Sequence, residues 1–151
     1  LRHIAHETTA WLEITTLVIP GHNDDDAMLG ALADWVVAEL GPDVPLHFSA
    51  FHPDHRMRDV PRTPLATLRR AREIALNSGL HYVYLGNVVD PDAESTACAS
   101  CGHLLIGRDR YRISAFGLVS GACGRCGAVL PGVFEESPGQ FGSRRIPLRL
   151  A

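Results

Sequence analysis

Apolar and β-branched residues crowd the stretch Trp11–Pro20 (WLEITTLVIP), which Gly21 and Asn23 close. That pattern predicts a buried strand. Asn23 and Asp24 then offer cap oxygens to a helix whose apolar positions Leu29, Leu32, Ala33, Val36, Val37 and Leu40 recur at three- and four-residue steps. Gly41-Pro42 ends it. Leu46–Phe51 (LHFSAF) predicts a second strand, and a long loop runs from His52 to Arg62. Thr63 as cap and Pro64 at the first helical position open another helix, which turns Leu65, Leu68, Ala71, Ala75 and Leu76 inward and stops at Gly79. Tyr82–Gly86 (YVYLG) predicts a third strand, and Leu1–Glu7 the end of a preceding helix.

Strand and helix alternate with short connections, so the strands are expected to lie parallel with helices packed outside them. The fold class is therefore α/β, a slice of a doubly wound sheet or of a barrel. In both, working residues gather at the C-terminal ends of the strands. Here those ends are Pro20 to Asp26, His52 to His55, and Gly86 to Asp90.

Charge divides the chain. Leu1 to Ala97 holds 7 Arg against 14 acids, a balance of −7, whereas Cys98 to Ala151 holds 7 Arg against 3 acids, a balance of +4. The reversal falls where the four cysteines begin, which places a domain boundary between residues 97 and 98. Glu135 to Ala151, rich in Gly, Pro and Arg, reads as an extended tail. The longest apolar run is far too short to cross a bilayer. No leader pattern opens the sequence, which points to a cytoplasmic protein, and a chain that starts at Leu1 in the middle of a structural pattern reads as a fragment.

Cys98-x-x-Cys101-Gly and Cys123-x-x-Cys126-Gly have the form of two metal knuckles, each with glycine supplying a backbone turn that side chains resist. Facing each other, they offer four thiolates in a tetrahedron. Zinc suits such a closed sulfur shell, with a rubredoxin-like iron or a cluster as the alternatives. The 98–134 segment is too small to bury much of a core, so the ion is expected to supply most of its local stability. His103 sits beside a knuckle whose shell is already full and reads as a bystander.

Among the strand-end residues, the Asp24-Asp25-Asp26 run reads as helix-start chemistry rather than ligation. His52 follows a buried strand on the ligand-bearing side, where binding and packing are equally plausible. Asn87 holds the same place after the third strand, and turn formation is its plain alternative. Asp54 and His55 read as loop surface. His3, His6, His47 and His81 read as ordinary structural residues, and Trp11 and Trp35 as packing residues.

The ordered series WLEITTLVIPGHND, GPDVPLHFSAFHPDHRM, TPLATLRRAREIAL, LHYVYLGNVVDP, CASCGHLLI and CGRCGAVLPG, with the tail FGSRRIPLRL, resembles the C-terminal half of the AmmeMemoRadiSam system radical SAM enzymes, which are related to the pyruvate formate-lyase activating enzymes. The resemblance covers nearly the whole chain. It implies the C-terminal portion of a partial (β/α) TIM-like barrel over residues 1–97, followed by a four-cysteine zinc-ribbon-like subdomain. It also implies a 4Fe–4S cluster and S-adenosylmethionine, which is cleaved reductively to a 5′-deoxyadenosyl radical that abstracts hydrogen from substrate. The family holds its cluster in a C-x3-C-x2-C motif near the N-terminus; this chain has no such motif, and its own cysteines are spaced differently. Carried over residue by residue, the resemblance puts His52 at the histidine that contacts S-adenosylmethionine. It puts Leu17 and Ile19 beside that cofactor, with Asn87 at the pocket mouth.

Two functions compete. One is a radical enzyme whose catalytic cluster and N-terminal half-barrel lie outside this chain, so that the chain alone is inactive. Its substrate is unspecified, with a protein as one candidate class. The other is a zinc-ribbon binding module with Arg108, Arg110, Arg112 and Arg125 as a basic face for nucleic acid or protein. The acidic remainder of the chain and the few ribbon aromatics disfavour a nucleic-acid partner, and no membrane partner is expected.

Overall fold

The computed structural model describes residues 1–139, and they form two compact units, Leu1–Val88 and the residues from Val89 onward. In the first unit the order is α1 (Arg2–Glu7), β1 (Ile14–Val18), α2 (Asp26–Leu40), β2 (Leu46–Ala50), α3 (Leu65–Asn77) and β3 (Val83–Gly86). The three strands make one sheet in the order β1-β2-β3, parallel throughout, with Ile14 opposite Leu46 and Leu46 opposite Val83. The parallel α/β expectation is met by this sheet.

Strand side chains alternate, and the two faces differ in kind. Val18, Leu46, Phe48, Ala50, Val83 and Leu85 are buried, and α3 packs on β2, β3 and α2. Fully burying a side chain such as Phe48 or Leu46 stabilises the fold by roughly 1.5–3 kcal/mol. The opposite face carries Thr15 and Leu17, His47 and Ser49, Tyr84 and Gly86 in register, none of them buried. Leu17 is 44% exposed. Strand β1 is thus an edge strand with one covered face, not the buried strand its composition predicts. Gly86 packs closely against its neighbour on that open face, since a Cβ there would stand 2.6 Å from Ser49 Oγ and oblige that hydroxyl to turn away.

The helix starts differ from expectation. Asp25, not Asn23 or Asp24, caps α2 by accepting from Met28 N–H. Leu29, Ala33, Val36 and Leu40 form its buried stripe, while Leu32 and Val37 lie at its margins. Helix α3 begins at Leu65 with Pro64 as its N-cap and no side-chain cap bond. Thr63 is instead buried at the strand ends. Trp11 and Trp35, expected to pack inside, are 44% and 40% exposed, and Trp11 Nε1–H donates to Glu13 at 2.9 Å. The indole N–H needs a polar partner, which draws that ring outward.

The second unit contains α4 (Pro91–Glu94), β4 (Thr96–Ala97), β5 (Leu104–Asp109), β6 (Arg112–Phe116), β7 (Leu118–Val119) and β8 (Ala122–Cys123). Strands β4, β5 and β6 form an antiparallel sheet, and β7 and β8 a separate hairpin. The unit starts ahead of the charge reversal at Cys98 because α4 and β4 pack on β5. Buried Asp90 caps α4, accepting from Ala93 N–H. The tail expected over 135–151 is described only to Gly139; residues 140–151 lie outside the described residues. No described helix is long and apolar enough to cross a membrane.

Candidate functional site

The two cysteine knuckles are built alike. Cys98 N–H donates to His103 O and Gly102 N–H to Cys98 O, each at 2.8 Å; Cys123 N–H donates to Ala128 O and Gly127 N–H to Cys123 O, again at 2.8 Å. Gly102 and Gly127 have φ of 68° and 76°, the left-handed angles that close each turn. Between the knuckles, Ser120 and Gly121 (φ 50° and 74°) form the two-residue turn of the β7–β8 hairpin. Positive φ at both positions matches the twist of the flanking strands.

The result is a closed sulfur cage. All four Sγ atoms lie within 4.8 Å of one another, with Cys98–Cys126 at 3.6 Å and Cys101–Cys123 at 3.7 Å. No disulfide joins them. Four sulfurs about 2.3 Å from a central zinc ion define a tetrahedron with edges of about 3.8 Å. The short pairs fit that edge, and the donor set closes around a single ion. With all positions taken by sulfur, a bound ion would have no open coordination site for a substrate.

The backbone prepares the thiolates. Cys98 is held below the usual thiol range chiefly by the Cys101 N–H, against the opposing effect of burial. Cys123 is lowered to about 7, chiefly by the Cys126 N–H. Cys126 receives the Ala128 N–H, yet the combined effect of Cys101, burial, Cys123 and Cys98 pushes it up to about 12. Four neighbouring thiols cannot all ionise without a cation among them. His103 stands outside the donor group and contributes only its carbonyl.

The ribbon arginines are partly committed. Arg108 Nη1 donates to Glu94 O and Thr96 Oγ1, and Arg112 pairs with Asp109 at 3.1 Å. Arg110 and Arg125 stay exposed.

A second constellation occupies the C-terminal ends of the parallel strands. Asn23 reaches back to the end of β1, its Oδ1 accepting from Ile19 N–H at 2.7 Å and its Nδ2 donating to Leu17 O at 3.0 Å. Thr63 Oγ1 donates to Val18 O and accepts from Phe51 N–H. Asn87 is in the left-handed region (φ 60°), and its side-chain amide donates to Ala50 O at 3.3 Å. Arg62 Nη2 donates to Asn87 O at 2.9 Å.

Of the residues singled out from sequence, Leu17 is exposed on the open face and Ile19 is half-buried just past β1. Asn87 spends its side-chain amide tying β3 to β2. His52 is exposed, and its Nδ1 lies 3.0 Å from Pro53 O. A carbonyl can only accept, so Nδ1 donates in this contact and the Nε2 side of the ring faces away from it. Among the described residues, neither the His22–Asp26 run nor His52–His55 forms a metal-compatible group.

Sequence reasoning assigned Asn23 and Thr63 to helix caps and passed over Arg62. Their polar side chains beside strand ends were the available signal. His47, read as an ordinary strand residue, lies in β2, 2.9 Å from Glu13 and against the Tyr84 ring at 5.1 Å.

No protein-family model matches the chain, and no solved structure matches it. It is 46% identical over 112 residues to an uncharacterized protein of Methanocaldococcus jannaschii, MJ0808. The match takes in 74% of this chain and 33% of that protein, so the chain spans about a third of the length of its relative.

Proposed function

We propose that this chain is the C-terminal part of a radical S-adenosylmethionine enzyme, contributing late strands of a partial barrel and a zinc-stabilised ribbon. The observation that carries this reading is the first unit's two-faced parallel sheet. Helices cover one face, the other is open from Leu17 to Gly86, and His52 stands exposed beside the strand ends. A barrel wall has this form, with one face toward the helices and the other toward the interior.

The chain has 4 cysteines, and all converge on one cage. None remains for a second metal group, so a catalytic cluster would be held by residues outside this chain. Such a cluster supplies the electron for reductive cleavage of S-adenosylmethionine. The residues present would do the binding work: Leu17 and Ile19 as apolar wall, His52 as a contact to the cofactor, and Asn87 as the rigid end of β3.

The alternative of a ribbon acting as a nucleic-acid module draws less support, because Arg108 and Arg112 already have partners. The coding sequence upstream of Leu1 provides the test. The reading requires a C-x3-C-x2-C motif there, in frame; a gene without one rules out the radical enzyme.

A further inference from the structure

A short strap, Arg62–Thr63, lies over the C-terminal ends of all three parallel strands. Thr63 contacts Val18 O at the end of β1 and pairs with Phe51 after β2 through both its N–H and its hydroxyl. Arg62 reaches the carbonyl of Asn87 just past β3, and Asn87 in turn binds Ala50 O of β2. The guanidinium is thereby fixed at the strand mouth. Thr63 runs beside Phe51, so Arg62 and His52 flank the same paired backbone.

Arg62 is exposed, and its polar partner among the described residues is a neutral carbonyl, with no carboxylate to offset its charge. Arginine has five N–H donors in a rigid fork suited to carboxylate and phosphate. One is used here. The rest, with their full positive charge, remain at the place where parallel sheets bind their ligands.

We propose that Arg62 is the anion-recognition residue of this mouth, taking the carboxylate or phosphate group of a small substrate. The inference takes from the proposed function only that the strand mouth is a ligand site. It needs no radical chemistry.

The test is an NMR titration of the 15N-labelled 151-residue chain, first with inorganic phosphate and then with acetate, at ionic strength held constant with sodium chloride. Saturable shifts at the Arg62 Nε–H and at the His52 and Asn87 amides are expected. Response to phosphate, to acetate or to both supports the proposal and identifies the group. Arg62→Gln should weaken binding by roughly tenfold or more, since it removes a charge-assisted contact. Arg62→Lys keeps the charge but loses the fork and should fall between. Arg58→Gln, elsewhere on the loop, should change nothing.

A merely structural Arg62 would leave phosphate and acetate without a saturable effect, or would leave Arg62→Gln binding as tightly as the parent. Either result overturns the proposal. Should Arg62→Gln disturb the sheet, Arg62→Lys decides: a native spectrum with undiminished affinity also overturns it. Neither probe contains S-adenosylmethionine, so failure here is separate from failure of the radical reading.

Discussion

The buried hydroxyl of Thr63 donates to the carbonyl of Val18, forty-five positions away, and accepts from the N–H of Phe51. One side chain thus joins the ends of two parallel strands where backbone pairing stops. Thr63→Val keeps the shape and removes both bonds, leaving a buried donor and acceptor unsatisfied at a cost of about 1–3 kcal/mol each. Urea denaturation followed through Trp11 and Trp35, both in the first unit, should show that loss, and Thr63→Ser should restore most of it. Equal midpoints for Thr63→Val and the parent would remove this tie from the account.

The sulfur cage predicts one ion per chain. Cys98→Ser should abolish stoichiometric zinc and the cobalt–thiolate absorption of the cobalt-loaded protein, and loosen the ribbon. Metal analysis with unchanged content in the variant contradicts four-thiolate ligation.

Metal affinity should fall with falling pH, because the ion binds thiolates and displaces their protons. Without metal, Cys126 keeps its proton up to about 12, whereas Cys123 holds one only below about 7. Above pH 7 at least one proton is released per ion, and below it at least two. Competition with a chelator should therefore show at least tenfold weakening for each unit the pH falls, and a steeper fall below pH 7 than above it. A pH-independent affinity contradicts thiolate ligation.

How much of this was legible in the sequence depends on the range of the interaction. The parallel sheet follows from local alternation, and the paired knuckles from C-x-x-C-G spacing, because both are short-range patterns. Asn23 and Thr63 were misassigned since an Asn or Thr before a helix has the same local signature whether it caps that helix or bonds a strand end. Only the fold brings Thr63 to Val18. Arg62 lacked any motif, and its place became visible only through its contact with Asn87.

The ribbon should not be a strong nucleic-acid binder. Arg112 is paired with Asp109, and Arg108 is bound within its own unit. Binding to a mixed-sequence oligonucleotide should be weak, with at most a shallow dependence on salt. Tight binding that falls steeply as salt rises would indicate several phosphate contacts and favour the ribbon-module reading.

The most direct measurement is made on this chain extended by the in-frame coding sequence upstream of Leu1, reconstituted anaerobically with iron and sulfide, reduced, and supplied with S-adenosylmethionine. The account predicts that 5′-deoxyadenosine forms and that His52→Ala weakens S-adenosylmethionine binding while the fold and the zinc content stay intact. A protein with its iron–sulfur cluster loaded that yields no 5′-deoxyadenosine would contradict the account.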